Sequence, residues 1–493
     1  MNSFGYGDDG PIVALATPPG ESALALIRTS GKGAVDLAAS VFSRPRALAG
    51  APPNFVVYGW IVEPRKKGGA KIDEVLISVY RAPHSFTGED GADISCHGGL
   101  AAVRAVLSAL REAGFREALP GEFSFRAFMN GKLDLTRADS VMELVFAKTD
   151  RSRERAVNRL SGALEADIRE IKTLLVGVLA GAEIYLDYSE DEFAAPAPGD
   201  PARDDEAAGR LPDRPLAEEA LARLRVLAAS YGMETLYREG ALVVIAGRPN
   251  AGKSSLFNRL LREDRSIVTD IPGTTRDWIE AWVSLGGIPL RLADTAGLHE
   301  ATDPVEKLGV ERSRELLGEA DLILHLIDGE LGLTGEDRAF YRERGLPPSG
   351  SGGERGPVPV LALWNKADAA PLPALLPDRL AGEGALLTLG ISAKTGEGIP
   401  ALIAAVTAAL EARFGASGGE APSAGLGSAR QKELIDRAIE NLTGALALSD
   451  RGEPLDLIAP LLRDGVNALG EITGEVSTAD ILEAMFSRFC VGK

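Results

Sequence analysis

The stretch that most constrains the fold is Gly247 to Ser254, GRPNAGKS, which fits the phosphate-cradling pattern GxxxxGK[ST]. An apolar run short enough for a buried strand, ALVVIAG (Ala241 to Gly247), precedes it, and SLFNRLL follows with the look of a first helical turn. The pattern requires that strand–loop–helix setting. Its two glycines let the backbone close tightly, so that successive N–H groups and the helix N-terminus point at negative charge. Lys253 adds a point charge at the β- and γ-phosphates, and the Ser254 hydroxyl can ligate Mg²⁺. The implied substrate is a nucleoside triphosphate.

Two further motifs select the base. Asn365-Lys366-Ala367-Asp368 and Ser392-Ala393-Lys394 each follow an apolar run, at a strand end. The Asp368 carboxylate can accept both the N1–H and the exocyclic amine of guanine, a pair of donors that adenine does not offer. Asn365, Lys366, Ser392, Ala393 and Lys394 would form the pocket wall, while Asn250, Ala251, Gly252, Lys253, Ser254 and Ser255 would surround the phosphates. Asp294-Thr295-Ala296-Gly297 closes the γ-phosphate side, with Asp294 near the metal and Gly297 presenting its N–H beside Lys253. Thr275, in DIPGTTRD, is the natural second hydroxyl on Mg²⁺. After Gly297 stands Leu298, where many small GTPases carry the glutamine that orients the attacking water, so hydrolysis needs another route. Asn250 either shapes the loop or helps hold a monovalent cation beside the phosphates.

The chain has 493 residues, which at ~100–200 per domain implies roughly three domains. A net charge of −18 disfavours broad electrostatic wrapping of nucleic acid and leaves only a local patch for any RNA contact. Cys96 and Cys490 are the only cysteines, so no disulfide framework is expected. The start of the chain lacks the basic-then-apolar pattern of a signal peptide, and the best spanning candidate, Thr173 to Leu186, is short of the ~20 residues a membrane needs. These features imply a soluble cytoplasmic protein with no membrane association.

Residues 1–125 alternate short apolar runs with turn signals and read as an α+β domain, with a helix at Gly99 to Ala113. Residues 126–237 read as the first part of an all-α helical domain, carrying a flexible insertion at about 192–215. Residues 238–415 read as an inserted α/β Ras-like P-loop G domain with a mostly parallel sheet, interrupted by a loop at Pro347 to Pro357. After a Gly/Ser-rich linker ending near Ser428, residues 428–493 are helical again, with Ser477 and Asp480 spaced as a capping box.

Taken with these motifs, IVALATPPG, SFTGEDGADISCHGG (Ser85 to Gly99), PGEFSFRAFMNGKLDLTRAD (Pro120 to Asp139), LGEITGEVSTADIL and the terminal FSRFCVGK make the chain resemble the MnmE (TrmE) family of tRNA-modification GTPases. The resemblance covers essentially the whole length. It implies K⁺-stimulated GTP hydrolysis when two G domains meet, a homodimer formed through the N-terminal domain, and a hetero-oligomer with the FAD protein MnmG. Together these would install the C5 carboxymethylaminomethyl or aminomethyl group on the wobble uridine of tRNA. It further implies that Asn250, Thr269, Ile271 and Thr274 hold K⁺, that Ser254 and Thr275 hold Mg²⁺, and that Glu306 orients the hydrolytic water. A reduced folate, 5-formyl- or methylene-tetrahydrofolate, would contact Arg28, Asp93, Lys132 and Lys493 of the N-terminal folate-binding domain. Asp93 departs from the family's glutamate by one methylene, and GESALAL at Gly20 to Leu26 departs from its glycine-rich turn.

Other features carry competing readings. Arg151, Arg153, Arg155 and Arg159 could touch tRNA phosphates or form a solvated helix face. Cys490 has no neighbouring histidine to activate it, and Cys96-His97 reads as part of a buried turn rather than a metal pair. The alternative for the whole chain is a regulatory GTPase switch that binds RNA or the ribosome without modifying anything.

Overall fold

The computed structural model describes residues 10–64, 69–187, 211–263, 280–294, 315–344, 357–376, 380–381, 385–415, 424–476 and 479–492. Thr269, Ile271, Thr274, Thr275, Thr295, Ala296, Gly297, Leu298, Glu306, Ser477 and Lys493 lie outside them, as do positions 192–210 and 347–356 of the expected insertions. The chain divides into two compact units, Met1–Met142 with Asn467–Lys493, and Glu143–Val466.

In the first unit β1 (Ile12–Leu15), β2 (Ser22–Ser30), β3 (Phe55–Val62), β4 (Lys71–Tyr80), β5 (Gly91–Gly98) and β6 (Arg116–Glu117) form one sheet in the order β3-β4-β5-β2-β1-β6. Period-two alternation puts Ala25, Ile27, Val57, Ile61, Val75, Ile77, Ile94 and Cys96 on one face. There they pack with α1 (Ala34–Ser40), α2 (Pro45–Ala49) and α3 (Leu100–Ala113). The other face carries Leu24, Val56, Tyr58, Leu76, Arg28 and Asp93, with Tyr58 paired opposite Leu76. Cys96 and His97 do not sit in a turn: they lie on β5, an inner strand paired with β2 on one side and β4 on the other. Strand propensity could not reveal this, because GADISCHG is poor in β-branched residues and tertiary pairing overrides it. Leu135, Ala138, Leu482, Phe486 and Phe489 form a second small core between α4 (Glu122–Met129), the start of α5 (Leu135–Phe146) and α14 (Ala479–Phe486).

The second unit has a helical part: α6 (Asp150–Leu160), α7 (Ala163–Asp187), α8 (Arg214–Glu239), α12 (Ala429–Asp450) and most of α13 (Leu455–Thr473). The three-and-four spacing of Leu164, Ile168, Ile171, Leu175 and Val178 makes the buried stripe of α7, which packs on α8, as α12 does. Thr149 caps α6 by accepting the Ser152 N–H, and Ser428 caps α12 by accepting that of Gln431. Two expected flexible segments end in packed structure. Leu211 is buried with its N–H on Ser449 Oγ at 2.9 Å, and Leu426 is buried with its N–H on Ser230 Oγ at 3.1 Å.

The rest of this unit is a six-stranded sheet in the order β12-β11-β10-β7-β9-β8. Its strands are β7 (Ala241–Gly247), β8 (Glu280–Leu285), β9 (Ile288–Asp294), β10 (Leu322–Asp328), β11 (Val360–Asn365) and β12 (Leu387–Gly390). All pairings are parallel except β8 with β9, a hairpin turning at Gly286 and Gly287. Separate apolar clusters cover the two faces, and α9 (Lys253–Glu263), α10 (Gly335–Arg344) and α11 (Ile399–Arg413) flank the sheet.

Candidate functional site: a phosphate loop at the strand ends and a pocket on the N-terminal sheet

The carboxyl ends of β7, β9, β10, β11 and β12 bring Gly247, Asp294, Asp328, Asn365 and Ile391 to one edge of the sheet, where open α/β sheets bind ligands. Lys253 starts α9, is only 4% exposed, and donates from Nζ to the carbonyls of Gly247 and Arg248, both at 2.8 Å. Burial pulls its pKa below the ordinary lysine value, while Asp294 opposes that shift. Ser254 Oγ donates to Asp294 Oδ2 at 2.9 Å, so a hydroxyl and a carboxylate already converge. That oxygen-only pair suits Mg²⁺. Gly252 has φ +98°, and a Cβ there would fall 2.2 Å from Asn365 Nδ2, so the position requires glycine. Asn250 is held in the left-handed region at φ 63°, a conformation asparagine tolerates, with its side chain exposed.

The base side is organised by Asn365. Its Nδ2 donates to the Ala251 carbonyl at 2.7 Å, and its Oδ1 accepts the Ala393 N–H at 3.0 Å. Buried Ser392 accepts the Thr395 N–H at 3.1 Å, which closes the turn holding Ala393 and exposed Lys394. Lys366 Nζ is anchored by Asp328 Oδ2 and Glu330 Oε2, each at 2.8 Å, and Asp368 stands exposed beyond it. Sequence reasoning passed over Asp328 and Glu330. The available signal was that LILHLID ends in an aspartate at a parallel strand's carboxyl end.

In the other unit, a pocket of ≈ 320 Å³ opens on the sheet face away from the helices. Arg28, Asp93 and Lys132 all line it, together with Tyr80, His84 and Phe86. Arg28 Nε donates to Asp93 Oδ1 at 3.1 Å and Nη1 to the Gly492 carbonyl at 3.3 Å, while its guanidinium lies 5.7 Å from the Phe86 ring centroid. Lys132 Nζ donates to the Pro83 carbonyl at 3.1 Å. Asp93 therefore faces Arg28 rather than standing unpaired. His84 and Phe86 of this lining carried no periodic signal in the sequence, since they stand in the connection between β4 and β5.

The arginines of α6 do not form one phosphate-binding row. Arg155 pairs with Glu234, and Arg159 is buried between Glu143 and Glu234, at 2.6 Å from each. Arg151 and Arg153 both reach the surface, Arg151 hydrogen-bonded to Tyr237 and Arg153 paired with Asp150 and Glu154.

Buried lysine, Ser254–Asp294 pair, base-side asparagine bridge and parallel sheet together define a Ras-like P-loop GTP-binding domain, joined to a helical part and to an N-terminal sheet unit. Residues 11–132 match the family model described as the GTP-binding protein TrmE N-terminus, and residues 135–490 match that of the MnmE helical domain. The chain is 42% identical to the tRNA modification GTPase MnmE of Treponema denticola, over 100% of both proteins. It is 43% identical to that of Symbiobacterium thermophilum, over 98% of this chain and 99% of the relative. The chain belongs to the MnmE family of tRNA modification GTPases.

Proposed function

We propose that this protein hydrolyses GTP and uses that cycle in the modification of tRNA, at C5 of the wobble uridine, together with an FAD-dependent partner of the MnmG type. The observation that carries the reading is the Asn365 bridge between phosphate loop and base-side turn, in a chain aligned end to end with relatives named for this activity. Lys253 and the loop N–H groups neutralise the phosphates, and Asp368 selects guanine. Ser254, with Thr275, would hold Mg²⁺, which spreads the charge developing on the γ-phosphate. Among the described residues no glutamine stands at this site. K⁺, held by Asn250 with Thr269, Ile271 and Thr274, would supply positive charge of the kind an arginine finger gives, and Glu306 would orient the water.

The pocket on the N-terminal sheet fits a reduced folate. Its ≈ 320 Å³ suits part of such a ligand, Phe86 and Tyr80 offer flat apolar surface, and Arg28 and Lys132 offer cations for its carboxylates, to which Lys493 would add a third. The open face around Leu24, Val56, Tyr58 and Leu76 is 49–65% exposed at each residue and suits a second copy of this chain, giving the homodimer. tRNA would meet a local patch, given the net charge of −18.

Comparison of GTP and ATP hydrolysis by the purified chain in KCl and in NaCl tests the nucleotide half of this proposal. GTP-specific turnover raised at least tenfold by K⁺ supports it. Equal rates in the two salts exclude the cation role of Asn250, and equal rates on the two nucleotides exclude the role of Asp368.

A further inference from the structure

The hairpin β8–β9 ends in the candidate nucleotide site. Thr275 precedes β8 in sequence, and Asp294, which accepts the Ser254 hydroxyl, is the last residue of β9. On the other side the hairpin rests on the helical part of the same unit, through the connection between α5 and α6. Lys148 Nζ lies 3.0 Å from the centroid of the Trp282 ring on β8. At the hairpin tip Gly287 has φ +83°, and a Cβ built there would come within 2.8 Å of Arg151 Cδ and 3.2 Å of its Nε. The tip backbone therefore sits directly on the Arg151 side chain, which only glycine permits.

Arg151 is held from the opposite direction. Its Nη1 donates to Tyr237 Oη at 2.9 Å and lies 3.7 Å from Glu411 Oε1, and Tyr237 Oη donates to that carboxylate at 3.3 Å. Tyr237 is near the end of α8, and its ring carries the Arg155 guanidinium at 4.6 Å. Arg155 shares Glu234 with Arg159, which also holds Glu143 of α5. The side chains thus form a continuous series of hydrogen bonds, ion pairs and one cation–π contact from the hairpin into three helices. Such a chain has few alternatives short of a discrete rearrangement, because every buried charge in it is paired.

We propose that Arg151 is a positioning residue that couples the nucleotide state of the G domain to the helical domain, by carrying displacement of the Gly286–Gly287 tip to Tyr237 and so to α6 and α8. The hairpin also meets the helices through the Lys148–Trp282 stack and through Trp282 and Pro289 against Gly240, while Arg151 carries its tip contact on to the Tyr237–Glu411 pair. This step goes beyond hydrolysis itself: it assigns the point at which the state of the nucleotide leaves the domain that binds it.

Hydrogen-exchange mass spectrometry on the full-length protein, with Mg²⁺ and K⁺, in GDP and in GDP–aluminium fluoride, tests this. In the wild type, amides of α6 (Asp150–Leu160) are expected to differ in exchange rate between the two states by about fivefold or more, the lower end of usual couplings. Arg151→Ala and Tyr237→Phe, the latter removing only a hydroxyl, should cut that difference to below half while GDP affinity stays within twofold. Arg153→Ala, on the same helix but paired within it to Asp150 and Glu154, should leave the difference intact. No state-dependent difference in wild-type α6, a difference of full size in Tyr237→Phe, or an equal loss in Arg153→Ala would each overturn the proposal.

Discussion

Asn365 and Ala251 are joined by a 2.7 Å hydrogen bond from Nδ2 to the main-chain carbonyl, which fastens the phosphate loop to the strand end that carries the base motif. The same side chain receives the Ala393 N–H, so one buried amide sets the spacing between phosphate and base subsites. Asn365→Ala leaves a buried N–H and a buried carbonyl without partners, at ~1–3 kcal/mol each. GDP affinity should fall by tenfold to a hundredfold or more, measured with a fluorescent nucleotide, with the far-ultraviolet spectrum unchanged.

In the proposed function Asp368 selects the base. Asp368→Asn exchanges one acceptor oxygen for an amide donor, which opposes the N1–H and amine of guanine but suits the 2-oxo group of xanthine. GTP turnover is expected to drop by on the order of 10⁴ in kcat/KM, with xanthosine triphosphate accepted in its place. Competition assays with both nucleotides read this directly.

In the proposed function Ser254 holds Mg²⁺ beside Asp294. Ser254→Ala removes a hydroxyl ligand and the 2.9 Å contact to Asp294. GDP binding in the absence of Mg²⁺ should be nearly unaffected, while the Mg²⁺ concentration needed for half-maximal hydrolysis should rise at least tenfold. An unchanged Mg²⁺ requirement would show that another group supplies the ligand.

His325 makes the fold acid-sensitive. It is buried on β10 against Phe340, with Nδ1 2.9 Å from Tyr341 Oη, and burial lowers its pKa to about 4, opposed by Asp337 and assisted by Lys253. Between pH 6.5 and about 4 the unfolded chain therefore binds more protons than the folded one, so stability falls as pH falls through that window and is unaffected above it. The total is on the order of 3 kcal/mol. Denaturant titrations from pH 7 to pH 4 should show this decline in the wild type and a flatter profile in His325→Gln.

Most of the nucleotide site was readable because its motifs are short, contiguous and fixed to strand ends. Lys253, Ser254, Asp294 and Asn365 stand where their order along the chain implied. What joins them was not readable: the Asn365–Ala251 contact spans 114 residues, and Arg159 reaches Glu234 across 75. Helix periodicity identified α3 and α7, whereas β5 was hidden because its residues gain strand structure only from two neighbours. The arginines of α6 look alike in sequence, and only packing separates surface Arg153 from buried Arg159. Linker composition also misled at Leu211 and Leu426, where single apolar residues in Gly- and Pro-rich stretches are fully engaged in the helical core.

Nucleoside mass spectrometry of tRNA tests most directly whether GTP hydrolysis by this chain serves tRNA modification. In a strain whose only copy carries Lys253→Ala, C5-modified wobble uridines should disappear as completely as in a strain lacking the protein, with the unmodified or partly modified nucleoside in their place. Wild-type levels of the modification in either strain would contradict the account.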